Sequence, residues 1–339
     1  MSSESSRAPS APTMRAIQFS DYGAPGDVLH ETQIPVPEPR PDDILVEVKA
    51  ASINPYDWHF YRGDPYMIRA TSGIRRLRHP RIAGADFAGV VATVGTNVTT
   101  FSIGDRVFGE RGEGGALAEF VAVPADNAAT MPRTASFEEA AAVPMVALTA
   151  SSALRDVGKL APGQSVLVNG ASGGVGVFAV QLAKAWGASR VVGVCSGRNK
   201  ELVLSLGADA VVDYTSENYW EGEEKFDLMV DIQNSQPLRR SLTAVKEDGT
   251  YVIVGGGGGK LMGPGGPVMR AMAQGLFKRQ RVAAVFAQSR GEDLARVASL
   301  IDDGKVTVPI EKVYDWAEAT AAMERLESNR VSGKLVIRI

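Results

Sequence analysis

The segment Asn169-Gly170-Ala171-Ser172-Gly173-Gly174-Val175-Gly176 restricts the fold of this chain more than any other stretch. It follows the apolar run Ser165-Val-Leu-Val and opens a helical pattern that runs from Gly174 to Trp186. A strand, a glycine turn and a helix in that order begin a βαβ unit, and each glycine has its own use there. Gly170 permits the tight turn, Gly173 lets the backbone approach a diphosphate, and Gly176 lets helix and strand pack closely. Free N–H groups at the positive end of the helix dipole suit the diphosphate of a dinucleotide. Two alternatives remain at this point: a turn that serves only packing, and a methyltransferase turn. The second usually carries an acidic residue beside the motif, which Asn169 does not supply.

The pattern around the turn extends this reading. Arg190-Val-Val-Gly-Val, Ala210-Val-Val-Asp, Phe226-Asp-Leu-Met-Val and Thr250-Tyr-Val-Ile-Val are short apolar strands separated by helices. One such helix covers Asn199 to Leu206 and stops at Gly207. Continuous apolar strands alternating with helices imply a doubly wound α/β fold, its parallel sheet covered on both faces. Arg281-Val-Ala-Ala-Val-Phe-Ala reads as the edge strand. From Met14 to about Pro132 the chain instead shows β-rich runs broken by Pro and Gly, as in a barrel or sandwich. Phe137 to Val157 reads as a helix that Pro144 should kink or interrupt. The tail, with a helix over Glu318 to Leu326 and a strand over Lys334 to Ile339, returns to the N-terminal style. A length of 339 residues accommodates two domains.

Composition removes several function classes. A formal net charge of −3 argues against a nucleic-acid binder that works by general electrostatics. No apolar run approaches the roughly 18 residues of a membrane helix. Residues 1–13 read as a disordered Ser, Pro and Ala-rich tail without the apolar core of a signal peptide. The single cysteine, Cys195, excludes an internal disulfide framework and points to a reducing, cytoplasmic setting. It also removes most routes to a zinc site.

The second strand of the alternating region decides which nicotinamide is expected. An NAD site places an Asp or Glu at the end of that strand, about 20 residues past the glycines, to hold the ribose 2′-hydroxyl. Here the strand ends in Cys195-Ser-Gly-Arg-Asn-Lys, without a carboxylate. Ser196, Arg198 and Lys200 suit a 2′-phosphate through charge-assisted hydrogen bonds, so NADPH is expected. Val254, Gly255 and Gly256 end a strand at the sheet's carboxyl edge, where α/β ligands bind, and their backbone is expected to meet the nicotinamide.

Several stretches together resemble the medium-chain dehydrogenase/reductase superfamily, in its zinc-free quinone oxidoreductase branch. They are Ala51-Ser-Ile-Asn-Pro-Tyr-Asp-Trp, Gly84-Ala-Asp-Phe-Ala-Gly-Val-Val, Phe101-Ser-Ile-Gly-Asp-Arg-Val-Phe-Gly, Glu138-Glu-Ala-Ala-Ala-Val-Pro with Leu148-Thr-Ala, and Ser332-Gly-Lys-Leu-Val-Ile. The resemblance runs from Met14 to Ile339. It implies a GroES-like β-barrel catalytic domain built from both chain ends (14–145 and 287–339), a Rossmann domain between them (146–286), and a homodimer joined at the edge strand. Zinc-bearing members carry a Cys where this chain has Asn54, and Gly-His-Glu where it has Gly84-Ala-Asp. His30, His59 and His79 offer no replacement spacing, so no metal is expected. Without a Lewis acid, alcohol oxidation is disfavoured. Hydride delivery to a small hydrophobic acceptor, either a quinone or an α,β-unsaturated carbonyl, is the expected reaction. A non-catalytic NADPH-binding protein and an alcohol or aldehyde dehydrogenase are the alternatives.

The resemblance also supplies candidate site residues. Asn54 and Asp57 match the Asn-Pro-x-Asp motif that lines the cleft, although Asp57 is equally suited to ordering its own turn. Tyr66 lies near the place where related enoyl reductases carry a proton donor, with Tyr56 and Tyr61 as rivals. Thr149 resembles the residue facing the nicotinamide carboxamide, or is a helix-interior Thr bonded to its own backbone. Tyr214 resembles a tyrosine that flanks the adenosine phosphate. Some relatives have an Arg reaching the 2′-phosphate where this chain has Asn329, so that role is not carried over. The basic run Ile74-Arg-Arg-Leu-Arg-His reads as a solvated loop. Val268 to Leu276, with Met and Leu at helical spacing, reads as packing rather than a lid, although adaptable Met surfaces also suit mixed hydrophobic acceptors.

Overall fold

The computed structural model describes residues 12–255, 263 and 265–339. Among the described residues, sixteen strands form three sheets. β1 (Thr13–Phe19) lies between β2 (His30–Pro35) and β4 (Arg81–Ile82) in a small antiparallel sheet. The second sheet holds β3 (Asp43–Ile53), β5 (Asp86–Val94), β6 (Arg106–Glu110), β7 (Phe120–Pro124) and β8 (Ala128–Thr130). The chain end adds β15 (Ile310–Tyr314) and β16 (Lys334–Arg338), and β16 pairs antiparallel with β3 through Leu335 opposite Ile53. Both ends of the chain therefore build one β unit. Its core includes Val46, Val48, Phe87, Val107 and Val121.

The third sheet has β9 (Ser165–Asn169), β10 (Arg190–Cys195), β11 (Ala210–Asp213), β12 (Phe226–Asp231), β13 (Val245–Ile253) and β14 (Arg281–Ala284). Its order is β11-β10-β9-β12-β13-β14, and every pair is parallel. The order reverses between β9 and β12, and ligands of open α/β sheets bind outside such a switch point. Alternation along the strands explains why both faces need a cover. Val166 and Val168 of β9 join one core and Leu167 the other. On β12 the same division separates Leu228 and Val230 from Met229.

Two local expectations gain detail. Pro144 divides the helical stretch into Phe137–Ala141 and Pro144–Ser151, and the second piece widens into a π turn over Ser152–Val157. The Met-rich segment is a helix, Gly265–Gly275, but its side chains do not pack as expected. Only Ala271 is buried, whereas Met269 is 64% and Leu276 82% exposed. The reason is that this helix meets the sheet along a narrow stripe, with Val268 and Ala271 as its contacts.

Candidate functional site

The helix Gly174–Ala185 starts from the glycine turn at the carboxyl end of β9. Gly173 is its N-cap and supplies no side-chain cap, so the first N–H groups of the helix have no partner of that kind. Gly170 has φ +89°, a left-handed conformation that favours glycine. A Cβ on Gly176 would lie 2.1 Å from the Gly170 carbonyl oxygen, whereas one on Gly173 would meet nothing closer than 3.6 Å. Gly176 is thus committed to packing, and Gly173 borders open space. The cradle fits a diphosphate. Ala171 and Gly176 are buried, and Ser172, Gly173, Gly174 and Val175 are half-buried at the surface of the turn. Across the switch point, Asn169 Nδ2 donates to Asp231 Oδ1 at 2.8 Å, and Tyr251 donates to the other Asp231 oxygen at 2.7 Å.

A second turn and the C-terminal segment gather beside the glycines. Asn199 Nδ2 donates to Ser172 Oγ at 2.9 Å, and Ser332 Oγ donates to Asn199 Oδ1 at 2.9 Å. Gly333 N donates to the Ser172 carbonyl at 2.8 Å. Ser196 caps the short turn Gly197–Asn199 with its hydroxyl unspent on the cap. Exposed Arg198 donates to the Arg330 carbonyl at 3.0 Å, and Lys200 is exposed beside it. Tyr214 is 62% exposed at the end of β11.

The absence of a carboxylate near Ser196 holds along the chain but not across the sheet. Register pairs Cys195 with Asp213 on the neighbouring strand, and the Asp213 carboxylate reaches Gly197. One of its oxygens is occupied locally. Oδ1 accepts from Thr215 N at 3.0 Å and Thr215 Oγ1 at 2.7 Å. Hydrogen bonds from Thr215 and Gly197 and the charge of Lys200 hold its pKa below the ordinary carboxylate range.

Asn54 and Asp57 belong to a buried polar cluster facing the glycine-turn helix. Asn54 is the N-cap of the helix Pro55–Arg62, where its backbone N donates to Asp57 Oδ2 at 2.7 Å and its carbonyl accepts from Asp57 N at 2.9 Å. Asp57 therefore orders its own turn. Burial pushes its carboxyl up to about 7. Asn54 Nδ2 donates to Asp86 Oδ2 at 2.8 Å, and Lys334 Nζ donates to Asn54 Oδ1 at 2.5 Å and to the Ile53 carbonyl at 3.2 Å. Ser52 Oγ and Met145 N also donate to Asp86, each at 3.1 Å. Lys334 and Asp86 stand 3.6 Å apart with side chains 3% and 0% exposed. Burial pushes Asp86 up and Lys334 down, and each charge pulls the other back. Strand register also sets Glu110 opposite Asp86, where burial and the Asp86 charge push its carboxyl up to about 7.

The remaining candidates scatter. Tyr66 is 47% exposed at the head of the helix Met67–Ser72, with Arg69 over its ring, and lies outside the Asn54 cluster's hydrogen bonds. Its hydroxyl has no hydrogen-bond partner among the described residues, whereas Tyr56 donates to the Gly112 carbonyl and buried Tyr61 to Glu327 at 2.9 Å. Thr149 donates to the Met145 carbonyl at 2.7 Å, the back-bonded form of a helix-interior Thr. Val254 and Gly255 are half-buried at the carboxyl edge, with Val254 N bonded to the Asp231 carbonyl at 2.9 Å. Gly256 lies outside the described residues. A cavity of about 290 Å³ between Leu148, Ser152 and the 284–293 segment touches neither the glycine turn nor Asn54. Cys195 is buried, and burial pushes its thiol up to about 11, so it is no nucleophile.

Asp86, Lys334 and Asn199 were not singled out by sequence. The available signal was a charged residue at the head of an otherwise apolar strand, Asp86 before Phe-Ala-Gly-Val-Val and Lys334 before Leu-Val-Ile.

Comparison with known proteins agrees with this construction. Residues 40–133 match the alcohol dehydrogenase GroES-like domain, and residues 206–337 match the family described as zinc-binding dehydrogenase. The chain is 33% identical to a 2-methylene-furan-3-one reductase of Solanum lycopersicum, over 96% of this chain and 79% of that protein. It is also 33% identical to the mitochondrial NAD(P)H oxidoreductase RTN4IP1 of Bos taurus, over 99% and 91% respectively. The solved quinone oxidoreductase of Coxiella burnetii superposes with a TM-score of 0.86 at 30% identity, covering 97% of this chain and 100% of that one. The chain belongs to the medium-chain dehydrogenase/reductase superfamily, in its quinone oxidoreductase-like branch.

Proposed function

We propose that this chain is an NADPH-dependent, zinc-independent reductase of quinones or α,β-unsaturated carbonyls. The observation that carries the reading is the uncapped helix start at Gly173, one lysine side chain away from the Asn54 amide. NADPH, when bound, supplies the hydride. The N–H groups of Gly174, Val175 and Gly176 hold its diphosphate. Ser196, Arg198 and Lys200 hold the 2′-phosphate, while Asp213 is engaged through Oδ1 with Thr215. Asn54 donates to the oxygen of the acceptor, where negative charge develops as the hydride arrives. Tyr66, with its uncommitted hydroxyl, is the proton source in this reading.

Zinc-independence is supported by the donor chemistry. Where metal-bearing relatives place a Cys, Asn54 Oδ1 already faces the buried ammonium of Lys334, and a second cation beside it would be repelled. Among the described residues, no group of three or more His, Cys, Asp or Glu side chains is placed to hold a metal ion. The edge strand β14, paired on one side only among the described residues and flanked by exposed Phe277 and Phe286, supports a homodimer. The lone, buried Cys195 suits a cytoplasmic setting. Among the described residues, no helix is long and apolar enough to cross a membrane.

The test is stopped-flow oxidation of NADPH and NADH by a panel of quinones and enones, with metal analysis of the same preparation. Turnover with NADPH and no zinc is expected. Tight NADPH binding without turnover on any acceptor would return the chain to a non-catalytic binding role. Stoichiometric zinc would overturn the account of the acceptor site.

A further inference from the structure

Every hydrogen-bonding group of Asn54 but one is committed. Its backbone N–H goes to Asp57, its carbonyl accepts from Asp57 N, its Oδ1 accepts from Lys334 and one Nδ2 hydrogen goes to Asp86. A primary amide nitrogen carries two hydrogens. The second Nδ2 hydrogen has no acceptor among the described residues. The two partners leave the amide a single orientation. An ammonium only donates, so it demands Oδ1; an ionised carboxylate only accepts, so it demands Nδ2. Flipping Asn54 would turn an N–H toward the ammonium and an oxygen toward the carboxylate. The stem of Lys334 also packs on the cofactor side, since a Cβ on Gly174 would lie 3.2 Å from Lys334 Cδ. One side chain thus touches the first turn of the glycine-turn helix and grips the Asn54 amide.

We propose that Lys334, paired with Asp86, is the positioning residue that holds Asn54 as a hydrogen-bond donor toward the acceptor's oxygen. This rests on the reading that Asn54 meets the acceptor. Lys334 acts through the amide rather than on the acceptor. Its charge, 2.5 Å from Oδ1, also polarises the amide and strengthens the remaining N–H as a donor. The arrangement supplies a fixed, desolvated donor for a developing enolate or phenolate oxygen, without a metal.

The experiment compares Asn54→Ala, Lys334→Met and the two combined, with a quinone and an enone as acceptors and fluorescence titration of NADPH beside the kinetics. Each single change is expected to lower kcat/KM for the acceptor by about 100- to 1000-fold, as loss of one oxyanion donor does. NADPH affinity should stay within about threefold. The combined variant should be no worse than Asn54→Ala, because both changes remove the same donor. An independent readout uses 4-nitrophenol with NADP⁺ present, the phenolate standing in for the charged oxygen. The wild type should bind the phenolate form, seen as a lowered apparent pKa in its absorbance, and Lys334→Met should lose this shift. Removing a buried ammonium strands Asp86, so Asp86→Asn/Lys334→Met, which removes both charges together, serves where the single variant fails to fold. Multiplying losses in the combined variant, or unchanged phenolate binding and turnover without Lys334, would overturn the proposal. A wild type that binds the phenolate through Lys334 and Asn54 yet reduces neither acceptor would sink the function proposed above and leave this inference standing.

Discussion

Arg198→Ala separates the two nicotinamides. Arg198 is exposed, and its one hydrogen bond runs from Nη2 to the Arg330 carbonyl at 3.0 Å. Losing an exposed neutral-acceptor bond costs the fold a few tenths of a kcal/mol at most. Against a 2′-phosphate the same guanidinium makes charge-assisted bonds, worth about 1.5–3 kcal/mol where both groups are well shielded. Exposure and salt reduce that to about 1–2 kcal/mol. NADPH should therefore bind roughly 5- to 30-fold more weakly. NADH carries no 2′-phosphate and should lose less than about twofold, since the residue holds no other part of the dinucleotide in this assignment. Fluorescence titration of both nucleotides at two ionic strengths reads the effect, and the NADPH loss should shrink at the higher salt. A thermal melt checks that the variant is folded. Equal losses for NADPH and NADH would refute the assignment of the 2′-phosphate to this turn.

Other outcomes follow from the same geometry. Gly176→Ala, whose Cβ would lie 2.1 Å from a backbone oxygen, should destabilise the protein by about 2–3 kcal/mol in urea unfolding. Gly173→Ala, with 3.6 Å of clearance, should keep the wild-type unfolding curve and lose dinucleotide affinity by about tenfold or more, as a Cβ would fill the diphosphate's approach. If Gly173→Ala binds normally, the turn serves packing alone. Burial holds Asp57 and Glu110 near 7, so the folded chain binds more protons than the unfolded one between their ordinary values and 7. Their contribution to stability is greatest at low pH, falls as pH rises toward 7 and is level above it. Carboxylates held low by their partners, such as Asp293 beside Arg155, lose stability in the opposite, acidic direction. Melting temperatures should accordingly decline from about pH 5 to pH 7, and Glu110→Gln should flatten that slope; an unchanged slope would show that Glu110 is ionised throughout. Glu327 accepts from Arg62 at 2.8 and 2.6 Å and from Tyr61 at 2.9 Å. Glu327→Ala should cost about 2–3 kcal/mol by calorimetry, because it strands a buried tyrosine hydroxyl.

Sequence alone determined the elements whose cause is local. The glycine turn is legible because strand, turn and helix are consecutive, and the uses assigned to Gly170 and Gly176 agree with a positive φ and a blocked Cβ. The parallel sheet is legible because strands buried on both faces must be apolar throughout. The break at Pro144 follows from one residue's missing N–H. Tertiary structure alone decided which charges meet. Asp86 and Lys334 are far apart in the chain and are joined only because β3 lies between β5 and β16. Asp213 reaches Gly197 from a neighbouring strand, which spacing along the chain does not register. The exposed Met side chains of Gly265–Gly275 depend on how wide a stripe the sheet offers that helix. Backbone conformation and burial periodicity are short-range properties written in neighbouring residues, whereas the partner of a buried charge is set by strand register, and register emerges only when the whole sheet assembles.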